Sequence, residues 1–112
     1  MSEDYDPLAS ALADALEQAS EGKGKERHAN GRPFDRQPIM EIGRMVGLGY
    51  PTGQAQKKIQ EAVGMAGRCE RDAAERELLG AIVYCAAAVL LVREMRGQVE
   101  RDPIITVDDE YA

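Results

Sequence analysis

The sequence predicts an all-α fold: a small bundle of about four helices with a long apolar last helix, assembled as an oligomer. Two observations carry the helical class. Five aromatic residues and no Trp in 112 residues leave a core of aliphatic side chains and Ala, which suits helices better than sheets. Apolar residues also recur at spacings of three and four between proline and glycine punctuation. With 44% apolar and 30% charged residues the chain has a globular composition, and its length fits one domain, residues 1–112.

Asp6 can cap a first helix that has Pro7 in its first turn. Leu8, Ala11, Leu12, Ala15, Leu16 and Ala19 then form a stripe running to about Ser20. Residues 21–37, EGKGKERHANGRPFDRQ, hold three Gly and one Pro without apolar periodicity, so a long loop is expected; loops of that length are usually functional or disordered. Pro38 opens a short second helix with Ile39, Ile42, Met45 and Val46 inward, ended by the turn-rich GLGYPTG at residues 47–53. A third helix is expected from about Gly53 to Ala66, with Ala55, Ile59, Ala62 and Val63 on one stripe.

The fourth, roughly Glu70 to Arg96, is apolar on every face through LLGAIVYCAAAVLLV, the pattern of a helix buried all round. Three short neighbours can hardly cover it, so a second copy is expected along Gly80, Ala81, Ala86, Ala87 and Ala88. The uncharged run Leu78 to Val92 rises about 22 Å as a helix, short of the roughly 30 Å of bilayer hydrocarbon, so no membrane partner is expected. Residues 98–112 form an acidic tail with one β-prone stretch, Ile104 to Val107.

The formal charge of −6 is unevenly spread. Both ends are strongly acidic, whereas residues 23–58 hold eight cations: Lys23, Lys25, Arg27, Arg32, Arg36, Arg44, Lys57 and Lys58. A positive middle in an acidic protein favours a localised anionic ligand over a long anionic polymer, which weighs against nucleic acid. Gly22, Gly24 and Gly31 interleave the loop cations, so backbone amides can approach an anion while the side chains supply charge. Phosphate is the natural guest, and Phe34 and Tyr50 flank the segment as candidates to stack on a base. The plainer alternatives are a solvated loop with ordinary charges and two aromatic side chains that close over the core.

Other chemistry finds little support. His28 is the sole histidine and has no Cys beside it; it joins the candidate ligand-binding set only as a loop side chain, with no metal role expected. The serines, Ser2, Ser10 and Ser20, lie in or before the acidic first helix, which leaves no nucleophile with a base. Cys69 and Cys85 have no short-spaced partner, and Cys85 reads as inert packing. With acids in place of an export signal at the start, the cytoplasm is the expected compartment.

Glu61 and Glu77 are the carboxylates placed to face one another across the third and fourth helices. The run AQKKIQEAV (55–63), followed by RELLGAIVYCAAAVLL (76–91), resembles the two motif helices of the MazG-like all-α nucleotide pyrophosphohydrolases. In that family EExxE and ExxD bind the magnesium ions that cleave a nucleoside triphosphate. The resemblance matches Glu61 to the last acid of the first motif and Glu77 to the first of the second. Lys57 and Lys58 stand where the paired acids belong, and Gly80 stands where the Asp belongs. The implied outcome is phosphate binding without the ions that drive hydrolysis.

The leading expectation is therefore a non-catalytic protein that binds, and could sequester, a phosphate-bearing small molecule such as a linear or cyclic nucleotide, without cofactor. Its size and acidity resemble small bacteriophage accessory proteins, for which sequestering a nucleotide signal of bacterial defence is a fitting setting. One alternative is a divergent hydrolase using magnesium at Glu61 and Glu77, completed by Glu41, Glu70, Asp72 or Glu75. Another is a helix-turn-helix DNA binder with Lys57 and Lys58 on the second helix, although its seven-residue link exceeds the usual turn.

Overall fold

A computed structural model describes residues 3–21 and 31–100, with the side chains of the last helix described to residue 97. Within them lie four α-helices, α1 (Asp6–Glu21), α2 (Pro38–Val46), α3 (Gly49–Gly67) and α4 (Arg71–Glu100), with short 3-10 turns at Glu3–Tyr5 and Phe34–Arg36. No strand occurs among the described residues. The expected all-helical bundle with a long last helix is what forms. The loop cations Lys23, Lys25, Arg27 and His28 and the stretch Ile104 to Val107 lie outside the described residues.

α4 is the spine. α3 runs antiparallel along it, with Tyr50 beside Tyr84 and Lys58 beside Glu77. α1 is antiparallel on another side, where the Gln18 side chain donates to the Arg76 carbonyl at 3.1 Å. α2 crosses near the far end, where Arg44 Nε and Nη2 each donate to a Glu94 carboxylate oxygen at 2.8 Å. By length and composition alone the stretch Arg71–Gly97 could cross a membrane.

The expected turn at residues 47–53 is mostly helix: only Gly47 and Leu48 separate α2 from α3. Gly47 takes φ +96°, a conformation that needs glycine, and the chain re-enters a helix at once. Pro51 caused the misreading, because proline breaks a helix interior but is welcome in a first turn, where its missing N–H costs nothing. At its other end α3 closes in a Schellman motif: the Glu70 amide donates to the Met65 carbonyl at 2.8 Å and the Cys69 amide to the Ala66 carbonyl at 3.1 Å. Cys69 holds the left-handed position at φ 64°, where glycine would be unstrained.

Helix faces depart furthest from the sequence expectation. Among the described residues, eight apolar residues besides Pro51 are buried, and six are alanines: Ala15, Ala55, Ala62, Ala74, Ala81 and Ala87; the others are Met40 and Leu91. The larger side chains expected inward face solvent instead, with Leu16 69%, Val63 68% and Met45 81% exposed and Leu8, Leu12, Val46 and Ile59 also outside. Small residues let helix axes approach closely, but each buried methyl returns only about 0.8 kcal/mol, against about 1.5–3 for a buried leucine. Of the positions expected to meet a second copy, Ala86 is exposed and Ala88 partly buried, while the other three are covered within the chain. Ala81 and Ala87 are buried, and Gly80 lies under Lys58, whose Cδ is 3.1 Å from where a Cβ would stand. Cys85, expected as inert packing, is exposed.

The tightest approach is at Gly43, where an added Cβ would fall 2.5 Å from Leu91 Cδ1. Leu91 is buried in a cluster with Met40 and Ala87, so its displacement disturbs their packing. Gly43→Ala is therefore expected to lower stability by about 1 kcal/mol in urea unfolding, the steric cost outweighing the helix-propensity gain. Cys69→Gly is expected to raise stability by about 0.5 kcal/mol, since relief of left-handed strain exceeds the added unfolded-chain entropy.

Candidate functional site

A groove of about 610 Å³ runs between α1 and α4 and is closed at one side by the segment leading into α2. Leu12 and Leu16 form one wall, Ile82, Val83 and Leu90 line it from α4, and Phe34 and Arg32 come from the connecting segment. Its size lies in the usual range for small-molecule sites, and its lining is apolar with few polar groups, as such sites tend to be.

Local bonds fix the segment that carries Arg32 and Phe34. Gly31 turns the chain at φ 74°. The Arg36 amide donates to the Pro33 carbonyl at 2.9 Å, and the Gln37 amide to the Phe34 carbonyl at 3.1 Å. The Gln37 side chain donates to the Arg32 carbonyl at 3.0 Å, closing the turn on itself. Half-buried Phe34 packs against the Met40, Ala87 and Leu91 cluster and also lines the groove, so it is a core lid and a groove wall at once. Arg32 Nη1 lies 3.6 Å from Glu41 Oε1, an exposed, loose pair of small energetic weight.

Among the described residues, the other predicted cations are not at this groove. Arg36 is exposed on the 3-10 turn, Arg44 is held by Glu94, and Lys57 reaches Glu61 one turn along α3 at 4.0 Å. Lys58 is the most enclosed. Its Nζ lies 3.2 Å from Glu77 Oε2 and 5.9 Å from the Tyr84 ring centroid, over the backbone of Gly80. Tyr50, expected as a stacking surface, is instead set edge-on against Tyr84, centroids 6.1 Å apart and planes at 82°. The Arg44 guanidinium holds the Glu94 carboxyl below its ordinary value through a charge-assisted bidentate bond, and Arg44 is raised in turn.

The α3–α4 hairpin brings Lys58, Glu77 and Gly80 together, and of the two acids expected to face one another Glu61 lies by Lys57 and Glu77 by Lys58. The Lys58 ammonium sits between the helices beside Glu77, and no three His, Cys, Asp or Glu side chains among the described residues converge on one point. This donor set does not fit a magnesium ion, which needs several oxygen ligands. Glu41 and Glu70 are likewise taken, by Arg32 and Arg68. The two-residue link removes the length objection to a helix-turn-helix, yet Lys58 is committed to α4 and is not free to enter a groove of DNA. Sequence reasoning had no signal for the apolar groove itself, because its leucines were expected to face the core.

Searches against protein-family models, curated proteins and solved structures return no match for this chain.

Burial, with a smaller contribution from the adjoining Tyr50, pushes the Tyr84 hydroxyl from 10.0 up to about 12. The unfolded chain would ionise Tyr84 near pH 10, so the stabilisation held by the neutral phenol is complete below that pH and is lost as pH rises towards 12. Thermal stability should therefore fall across this window in the parent and less steeply in Tyr84→Phe. Tyr50→Phe should shift the late phenolate absorbance step of Tyr84 to lower pH.

Proposed function

We propose that this chain is a non-catalytic binding protein for a small molecule that joins a flat apolar moiety to a phosphate, with a nucleotide as the simplest such ligand. The carrying observation is that Arg32 and Phe34 share one groove whose other walls are mostly apolar, with Ser20 and Gln37 the polar exceptions. Phe34 can take a base on its ring, worth about 1–3 kcal/mol in nucleic-acid systems, while the Arg32 guanidinium meets a phosphate bidentately. The loose contact with Glu41 is readily exchanged for a dianion. The ion pairs at Lys57 and Lys58 move the weight of the proposal away from α3 and onto Arg32. The Lys58–Glu77 pair engages one of the two carboxylates a magnesium-driven hydrolysis would use, which favours binding over turnover.

A thermal-shift screen over mono-, tri- and cyclic nucleotides, each with a chelator and with magnesium, tests this reading. A ligand at about one hundred times its Kd should add about 2.7 kcal/mol of stability with chelator present, and Arg32→Ala or Phe34→Ala should remove most of the shift. Lys57→Ala should leave it unchanged. No shift with any nucleotide sinks the proposal. Pyrophosphate release with magnesium, abolished by Glu77→Gln, would replace it with the hydrolase reading.

A further inference from the structure

We infer that Arg93 is a further ligand-binding residue of the groove between α1 and α4, and that with Arg32 it suits the site to two linked phosphates, as in a nucleoside diphosphate, over a single one. This rests on the groove being the site of a phosphate-bearing ligand, as proposed above. α4 lines the groove with Ile82, Ala86 and Leu90, spaced four residues apart. Arg93 follows Leu90 by three, so it continues the same face one turn beyond the last lining residue, and it is exposed. Helical side chains lean towards the N-terminus of their helix, which directs the long arginine stem back over the Leu90 turn.

Arg32 comes to the same end from the other side. Phe34, two residues on, packs against the cluster that holds Ala87 and Leu91, beside Leu90. Arg32 Nη1 lies 3.6 Å from Glu41, and one turn further along α2 Arg44 is bonded to Glu94, the residue after Arg93. A base resting on Phe34 would therefore hold its phosphates between an arginine of the connecting segment and one of α4.

Acids stand near this end, but none holds Arg93. Both Glu94 oxygens accept from Arg44, and Glu41 faces Arg32. The positions three and four residues either side of Arg93 on α4 are Val89, Leu90, Arg96 and Gly97, so no carboxylate shares its face there. Among the described residues no acid forms an ion pair with Arg93, Asp35 and the acidic start of α1 included. Its planar fork of donors is thus left for a charged acceptor, and such bonds are the strong ones.

Calorimetric titration of the full chain with the mono- and diphosphates of adenosine and guanosine, chelator present, supplies the test. In the parent the diphosphate of at least one base should bind about tenfold more tightly than its monophosphate. Arg93→Ala should erase that advantage while leaving monophosphate affinity within about twofold, and Arg93→Lys should restore part of it. Arg71→Ala, at the other end of α4, should change neither affinity. Circular dichroism of each variant separates lost binding from lost folding. Equal affinity of the parent for mono- and diphosphate, or a loss in folded Arg93→Ala shared equally by both, overturns the inference and leaves the groove reading standing. Binding of none of the four removes that reading, and the role of Arg93 with it.

Discussion

The close contact of α3 with α4 governs the rest of this molecule. It is lined by Ala55, Ala62, Ala74 and Ala81 and capped by the Lys58–Glu77 pair lying over Gly80. Small side chains at the seam let the two helices approach, and the absence of a Cβ at Gly80 leaves room for the lysine stem. The stem buries apolar surface while the ammonium keeps a carboxylate and an aromatic face as partners, which is how a cation is tolerated partly out of water. With the seam occupied by methyl groups, the larger side chains of α1, α3 and α4 are left on the outside. The groove between α1 and α4 and the exposed apolar side chains of α4 are both products of that arrangement.

Much of the local structure was legible. Pro38 marked the start of α2 and Val46 its end, Asp6 and Pro7 marked α1, and the apolar density of the last third marked α4 to within a few residues. The start of α3 was not, because proline reads equally as a breaker and as a first-turn residue and only tertiary packing of Pro51 decides between them. Helix faces were the larger failure. A stripe such as Leu8, Leu12 and Leu16 announces that a helix has a preferred side, but periodicity cannot say whether that side meets the same chain or something else. The alternation of alanine with leucine held the missing information, and it makes sense only once the interhelical distance is known.

The site divides in the same way. Arg32 and Phe34 were singled out from charge and aromatic context, and the structure brings both to one groove. Lys57, Lys58 and Tyr50 were singled out on equal grounds and have intramolecular partners instead. Net charge along a segment counts cations without subtracting the acids that folding brings to them from distant positions, as Glu77 comes to Lys58 and Glu94 to Arg44. The apolar walls were hidden by the assumption that leucine points inward.

An interior assembled from alanine also shapes the calorimetric behaviour of the isolated chain. Heat-capacity change on unfolding follows the apolar area newly hydrated, and a chain whose leucines and valines are already wet has little left to expose. Its stability curve should be shallow, with a gradual melt, and the steeper, more cooperative transition of an ordinary domain should emerge only where further apolar surface is dried by association.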